Sequence, residues 1–234
     1  MSKLKLFCFP YAGGSSAIYA KWKKHFNDSI ELCPVELAGR GKRYNDKFYD
    51  DINEVVEDVF KLIKEDIEKG EYSLYGHSYG SLISYELAHK INELQLRKPK
   101  HIFYSGNGSP HLKESKMYHT LPDEEFLKKI IELGGTPEEL IKEKELLELF
   151  LPLLRADFKV NETYQYKERE SKLDCDFTVI NGKEDQLTLN QITGWSSHTT
   201  GKCRFYMMDG GHFFINEKME DVITIIKHTL DSGQ

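Results

Sequence analysis

The segment Gly76-His77-Ser78-Tyr79-Gly80 constrains this chain more than any other feature because of what flanks it. Tyr72-Ser73-Leu74-Tyr75 reads as a short strand and Ser81 to Leu94 as a helix, so a serine stands where a strand must turn sharply into a helix. Side chains at positions 76 and 80 would collide with neighbouring backbone, and both positions are glycine. Ser78 is thereby set at the head of a helix, with its hydroxyl projecting from a strained turn.

The rest of the chain repeats the same alternation. Strand-like runs recur at Leu4 to Phe9, Ile30 to Leu37, Tyr72 to Tyr75, His101 to Tyr104, Phe177 to Ile180 and Cys203 to Met208. Between Asp51 and Lys69 the apolar residues Ile52, Val55, Val56, Val59, Phe60, Ile63 and Ile67 fall at three and four residue steps, which predicts an amphipathic helix closed by Gly70. A last helix is expected from about Met219 to Leu230. Strand, helix and strand in turn imply an α/β fold, a mostly parallel sheet covered by helices on both faces. From about Ser115 to Glu170 the rhythm breaks. Helical patterns around Phe126 to Leu133, ended by Gly134-Gly135, and around Leu146 to Leu154 have no strand between them. This reads as an inserted helical lid of a single domain spanning 1–234, the alternative being helices that simply pack on the core, and Pro152 is expected to kink or end the second helix.

Composition excludes several functions. A net charge of −6, with no basic stripe interleaved with aromatics, argues against nucleic acid as a partner. No run approaches the roughly 18 apolar residues of a membrane span, and the start, broken by Lys5 and Pro10, does not resemble a secretory signal. A cytoplasmic protein is expected. Cys8, Cys33, Cys175 and Cys203 form no C-x-x-C pair, so they are expected to be buried reduced thiols, with no metal bound.

A serine hydroxyl needs a base to take its proton as it attacks. His212, in Asp209-Gly210-Gly211-His212 just past the last strand, is the best placed of nine histidines; His77 precedes Ser78 on the turn and should point away from the reacting side. A carboxylate must then hold the imidazole's tautomer. Asp185, in the turn after the strand Phe177 to Ile180, gives the chain order Ser, Asp, His; Glu184 and Asp209 are the alternatives. Backbone N–H groups should hold the oxyanion, each lowering the barrier by about 3 kcal/mol. One belongs to Tyr79. The other belongs to Ala12 or Tyr11, in the loop Pro10-Tyr11-Ala12-Gly13-Gly14, with Tyr11 also a candidate substrate contact. That loop lacks both G-x-G-x-x-G and a Gly-Lys-Ser/Thr ending, so it is not a nucleotide-binding turn.

With Phe-Pro-Tyr-Ala-Gly-Gly, Trp22, Glu36-Leu37-Ala38-Gly39-Arg40-Gly41-Lys42-Arg43, the Ser78 turn, Gly182 to Asp185 and Gly210-Gly211-His212 in this order, the chain resembles the type II thioesterases. These are the stand-alone proofreading enzymes of nonribosomal peptide and polyketide synthases, and the resemblance runs from about Lys3 to Leu230. It implies an α/β-hydrolase fold with a helical lid, a triad of Ser78, Asp185 and His212, and hydrolysis of wrong or stalled acyl groups from the phosphopantetheine arm of a carrier protein domain. No cofactor of its own is implied, and a monomer is expected. Members more often carry Met or Leu at the position of Tyr79, and Tyr11 also varies, which makes pocket size and acyl preference the open points.

Other readings fit the same residues. A carboxylesterase or an acyl-CoA thioesterase would use the same triad, an acyltransferase would pass the acyl group to an alcohol or amine, and a non-catalytic carrier-binding module would keep only the fold. The basic segment Gly39 to Arg43 is either a solvated turn or a contact for acidic carrier surface or the arm's phosphate. Trp22, between lysines, is expected to pack in the core.

Overall fold

The computed structural model describes residues 3–26, 29–113, 116–134 and 144–231. Strands β1 (Leu4–Phe9), β2 (Ile30–Pro34), β3 (Tyr72–His77), β4 (His101–Ser105), β5 (Asp176–Gly182) and β6 (Cys203–Met208) form one sheet in the order β2-β1-β3-β4-β5-β6. Every pairing is parallel. Helices α1 (Ile52–Lys69), α2 (Tyr79–Glu93), α3 (Asp123–Leu133), α4 (Lys144–Thr163), α5 (Leu189–Thr193), α6 (Phe214–Glu217) and α7 (Met219–Asp231) follow in chain order, with a 3-10 segment at Ser16–His25.

The central strands read as unbroken apolar runs because both of their faces are covered. Leu4, Leu6 and Cys8 of β1 pack with Tyr19 and Trp22 of the 3-10 segment and with Val222, Ile223 and Ile226 of α7. Phe7 and Phe9, on the opposite face, join Val55, Val59 and Ile63 of α1 and Leu82 and Ile83 of α2. The apolar stripe of α1 is buried at every predicted position, and each such side chain stabilises the fold by about 1.5–3 kcal/mol. Asp51 caps the helix, accepting hydrogen bonds from the N–H groups of Asn53 and Glu54. Gly70 ends it with φ −150°, an extended conformation, so glycine's left-handed freedom is not used there. Trp22 is buried as expected, while the lysines beside it are exposed.

The chain goes from β1 outward to β2, then returns through α1 to β3 on the other side of β1. The loops leaving the carboxyl ends of β1 and β3 therefore part company, and the crevice between them is where an open parallel sheet binds its ligand.

Several boundaries differ from the sequence reading. β2 stops at Pro34, which has no N–H to donate, although Val35 adds one more bond to the Cys8 carbonyl. Pro152 does not end its helix: α4 runs on to Thr163, held by Leu153, Leu154, Asp157 and Val160, all buried. The expected lid start at Ser115 and the stop at Gly135 lie outside the described residues. Between β4 and β5 the described chain adds helices but no strand to the sheet, and α3 and α4 share a small core of Phe126, Ile130 and Leu154, with Phe158 edge-on to Phe126. All four cysteines are free; Cys8 and Cys175 are buried and Cys33 and Cys203 partly so. No helix among the described residues is long and apolar enough to cross a membrane.

The fold depends on two glycines at the β3–α2 junction. A Cβ on Gly76 would lie 2.0 Å from the Gly80 carbonyl oxygen, and one on Gly80 would lie 2.1 Å from the Phe9 carbonyl oxygen. Backbone atoms cannot swing aside as a side chain would. Gly80→Ala is therefore expected to destabilise the protein by about 3 kcal/mol or more in urea unfolding. Gly211→Ala, whose Cβ would meet nothing within 4 Å, should leave the midpoint where it is.

Candidate active site

β3 extends two residues further than its apolar run and α2 begins two residues earlier, so Ser78 alone makes the turn. It does so at φ 55°, ψ −114°, a conformation an L-residue adopts only when its surroundings enforce it. Three bonds hold it there. The Ser78 N–H donates to the Ser105 carbonyl at 2.7 Å, its carbonyl accepts the Ser81 N–H at 2.9 Å, and Asn107 Nδ2 donates to the same carbonyl at 3.1 Å.

The structure brings the three expected side chains into one line. His212 Nε2 lies 2.9 Å from Ser78 Oγ, and His212 Nδ1 lies 2.8 Å from Asp185 Oδ2. An ionised carboxylate only accepts, so the proton between His212 and Asp185 sits on Nδ1, which leaves Nε2 free to accept the serine proton. Asp185 is nearly buried and its other oxygen accepts the Gln186 N–H at 2.8 Å. The two rival acids are engaged elsewhere. Glu184 accepts the Gly210 N–H, and Asp209, exposed, pairs with Lys183.

His77 points beneath the site. It is fully buried, its Nδ1 lies 2.8 Å from Ser105 Oγ, and its ring packs 5.4 Å from that of His212, with Tyr11, Phe213 and Phe214 against it. Burial, and secondarily the neighbouring His212, hold its pKa well below the ordinary histidine value. A neutral ring thus supports the working imidazole from behind.

Ser78, Asp185 and His212 open on a cavity of about 380 Å³. Tyr11 and Ala12 form one wall, with the Tyr11 ring edge-on to Phe213 at 4.9 Å. Ile130, Leu133, Leu154 and Phe158 of α3 and α4 roof it. As the first residue of α2, Tyr79 has an N–H with no acceptor inside the helix. In the loop after β1, Gly13 donates to Asp157 Oδ2 at 2.7 Å and Gly14 to the Tyr11 carbonyl at 2.9 Å, which leaves Tyr11 and Ala12, both lining the cavity, as the candidates for the second oxyanion donor. The Tyr79 side chain is fully buried in the main core and does not line the cavity. Tyrosine in place of a smaller residue there does not set the pocket's size.

Within the basic segment Lys42 is exposed, as a solvated turn would have it, whereas the two arginines are paired. Arg40 is not solvated: it is buried and forms a two-pronged ion pair with Asp157. Arg43 does likewise with Asp58 on α1, at 2.7 and 2.9 Å. The pattern Gly-Arg-Gly was the available signal, because φ +77° at Gly39 and +50° at Gly41 are what turn Arg40 inwards. Asn107 and Lys113 were also missed, and nothing in their local sequence marks them. Lys113 lines the cavity and donates to Asn161 Oδ1 at 2.9 Å and to the Asn161 carbonyl near the end of α4; burial pushes its ammonium down to about 8.

If the line Asp185–His212–Ser78 is a working relay, Asp185→Asn keeps the fold but allows the wrong tautomer of His212. Turnover should fall by about 10⁴-fold with an unchanged melting temperature, as read by steady-state kinetics and calorimetry.

Comparison with known proteins gives the same answer as the geometry. The pattern of the thioesterase domain matches residues 4–230. The chain is 38% identical to linear gramicidin dehydrogenase LgrE of Brevibacillus parabrevis, over 99% of this chain and 89% of that one. It is 37% identical to gramicidin S biosynthesis protein GrsT of Aneurinibacillus migulanus, over 95% of this chain and 87% of that one. Among solved structures, ClbQ from the colibactin NRPS/PKS pathway superposes with a TM-score of 0.94 at 32% identity, covering 99% of this chain and 98% of that one. The word dehydrogenase belongs to the first relative's name; the present sequence contains no G-x-G-x-x-G turn for a dinucleotide. With its α/β-hydrolase sheet, its serine on the β3–α2 turn and these relatives over nearly its whole length, the chain belongs to the thioesterase family.

Proposed function

We propose that this protein is a type II thioesterase that removes aberrant or stalled acyl groups from the phosphopantetheine arm of carrier protein domains in nonribosomal peptide or polyketide synthesis. The observation that carries the reading is the unbroken line from Asp185 through His212 to Ser78, ending in a cavity to which α3 and α4 contribute Ile130, Leu133, Leu154 and Phe158 alongside the polar Glu132, Asn161 and Glu162.

On this reading Ser78 Oγ attacks the thioester carbonyl as His212 Nε2 takes its proton, and Asp185 stabilises the imidazolium. The Tyr79 and Ala12 N–H groups hold the oxyanion. His212 returns the proton to the departing thiol, which leaves an acyl group on Ser78. Water then attacks this ester, with His212 again as base, and the acid and free serine are released. Tyr11 forms the wall against which the acyl chain lies. Each step is a proton transfer or a carbonyl addition or collapse, so the enzyme needs no cofactor of its own, and the phosphopantetheine belongs to the substrate.

The helical segment between β4 and β5 serves as a lid, since Leu133, Ile130, Leu154 and Phe158 would cover an acyl chain seated at Ser78. Lid and sheet work as parts of one domain. The enzyme acts as a cytoplasmic monomer that meets its carrier transiently. Its four free cysteines suit a reducing compartment, and its net charge of −6 argues that the carrier is met by local contacts rather than by broad electrostatic attraction.

The test is hydrolysis of acetyl groups loaded on a phosphopantetheinylated carrier protein, followed by mass spectrometry of the carrier. Wild-type protein should clear the acetyl group and Ser78→Ala should leave it in place. Cleavage of simple esters by wild type, with the carrier left acylated, would keep the hydrolase and remove the proofreading role.

A further inference from the structure

Arg40 and Asp157 are far apart in sequence and buried together, with side chains 4% and 3% exposed. Arg40 Nη1 and Nη2 reach Asp157 Oδ2 and Oδ1, each at 2.7 Å. The pair does more than neutralise itself. Asp157 Oδ2 also accepts the Gly13 N–H at 2.7 Å, while Arg40 Nη1 donates to the Gly14 carbonyl at 3.0 Å and Nε to the Ala38 carbonyl at 3.2 Å. Three pieces of chain meet at these two side chains: the loop after β2, the helix α4, and the loop after β1 that carries Tyr11 and Ala12.

Gly13 is where the last two press together. It has φ +76°, and a Cβ there would lie 2.7 Å from Leu154 Cδ1 and 2.8 Å from Phe150 Cζ. Helix α4 thus fills the space beside Gly13 with apolar side chains and holds its N–H with a carboxylate. Leu154, Asp157 and Phe158, three and four residues apart, share one face of α4. Leu154 and Phe158 face the cavity, and Asp157 faces the loop.

We propose that Asp157, fixed by Arg40, is a positioning residue for the oxyanion hole. It ties the donor loop after β1 to α4, so that the hole is complete only while α4 is docked over the cavity. The Gly13 N–H is turned inwards to the carboxylate, and this sets the direction of the peptide groups before it, including the Ala12 N–H. An oxyanion donor displaced by about 1 Å loses most of its effect on the transition state, while ground-state binding is little changed. Because the cavity roof and the loop anchor lie on the same turn of helix, the arrangement couples acyl-chain enclosure to the chemical step. The inference rests on the Ser78 reaction proposed above.

Removing one partner alone leaves a buried unpaired charge and threatens the fold, so the test uses two double variants without net charge at the site. Arg40→Met with Asp157→Asn retains an amide oxygen that can accept the Gly13 N–H. Arg40→Met with Asp157→Leu retains none. Melting temperature, kcat and KM are measured for both on an acyl N-acetylcysteamine thioester that wild type hydrolyses, along with the rate of Ser78 labelling by a fluorophosphonate. The Asp157→Leu double is expected to show at least about tenfold lower kcat than the Asp157→Asn double, with KM within about twofold, slower labelling and a similar melting temperature. Equal kcat in the two doubles would overturn the proposal, and so would a fall in kcat that merely follows melting temperature. Ser78→Ala in the same assay separates the two ideas: full turnover by that variant would remove the catalytic reading itself.

Discussion

The backbone contact between the β3–α2 turn and the end of β1 sets the geometry on which the rest depends. Gly80 of α2 lies against the Phe9 and Pro10 carbonyls, and Gly76 of β3 lies against Gly80, at separations that no side chain permits. This approach allows one residue, Ser78, to reverse the chain at positive φ. It also places the loop after β1 beside the serine. Hydroxyl and candidate oxyanion donors are therefore products of a single packing event, and the strain at Ser78 is held by the bond its N–H donates to the Ser105 carbonyl of β4 and by the one its carbonyl accepts from Asn107. Such strain persists only where the surroundings over-determine it.

A second layer of the structure stands on that junction. The helices inserted between β4 and β5 pack on one another and over the cavity, and α4 also sends Val160 into the main core. Apolar side chains of α4 reach the main core through Val160 and the loops through Leu153 and Leu154, and the Arg40–Asp157 pair with the Gly13 N–H adds a polar anchor. A buried ion pair contributes little net stability compared with apolar packing of the same volume, but it is directional. Apolar contact alone would let the helix slide, whereas a two-pronged arginine and a backbone donor define one position. The residues between Glu36 and Arg43 serve this end. Glu36 accepts from Ser16, Arg43 pins the loop to Asp58, and the glycines flanking Arg40 deliver it inwards.

Strands, the long helices and their order were legible in the sequence because hydrophobic period is a local property. The seven apolar positions of α1 and both ends of β1 and β6 could be read directly. The limits of β2 and β3 could not, since they depend on which neighbour supplies the next hydrogen bond. Pro152 misled for a related reason: the local cost of a missing N–H is outweighed by tertiary contacts made further along α4.

Ser78, Asp185 and His212 were recognisable because each occupies a turn at the end of a strand, and a parallel sheet brings all such turns to one edge. Chain order and residue type thus determined the fold class, the serine, the histidine and a short list of acids headed by Asp185, and the joint order of the motifs pointed to the family. The choice of Asp185 over Glu184 and Asp209 was settled only by direction, as these carboxylates are close in space and differ in which way their turns aim them. Likewise Arg40 and Asp157 find each other only in three dimensions, because the sequence carries charge at each position but no information about what will face it. Local chemistry is written in order along the chain. The pairing of buried charges belongs to the tertiary structure, where the desolvation of each makes the other necessary.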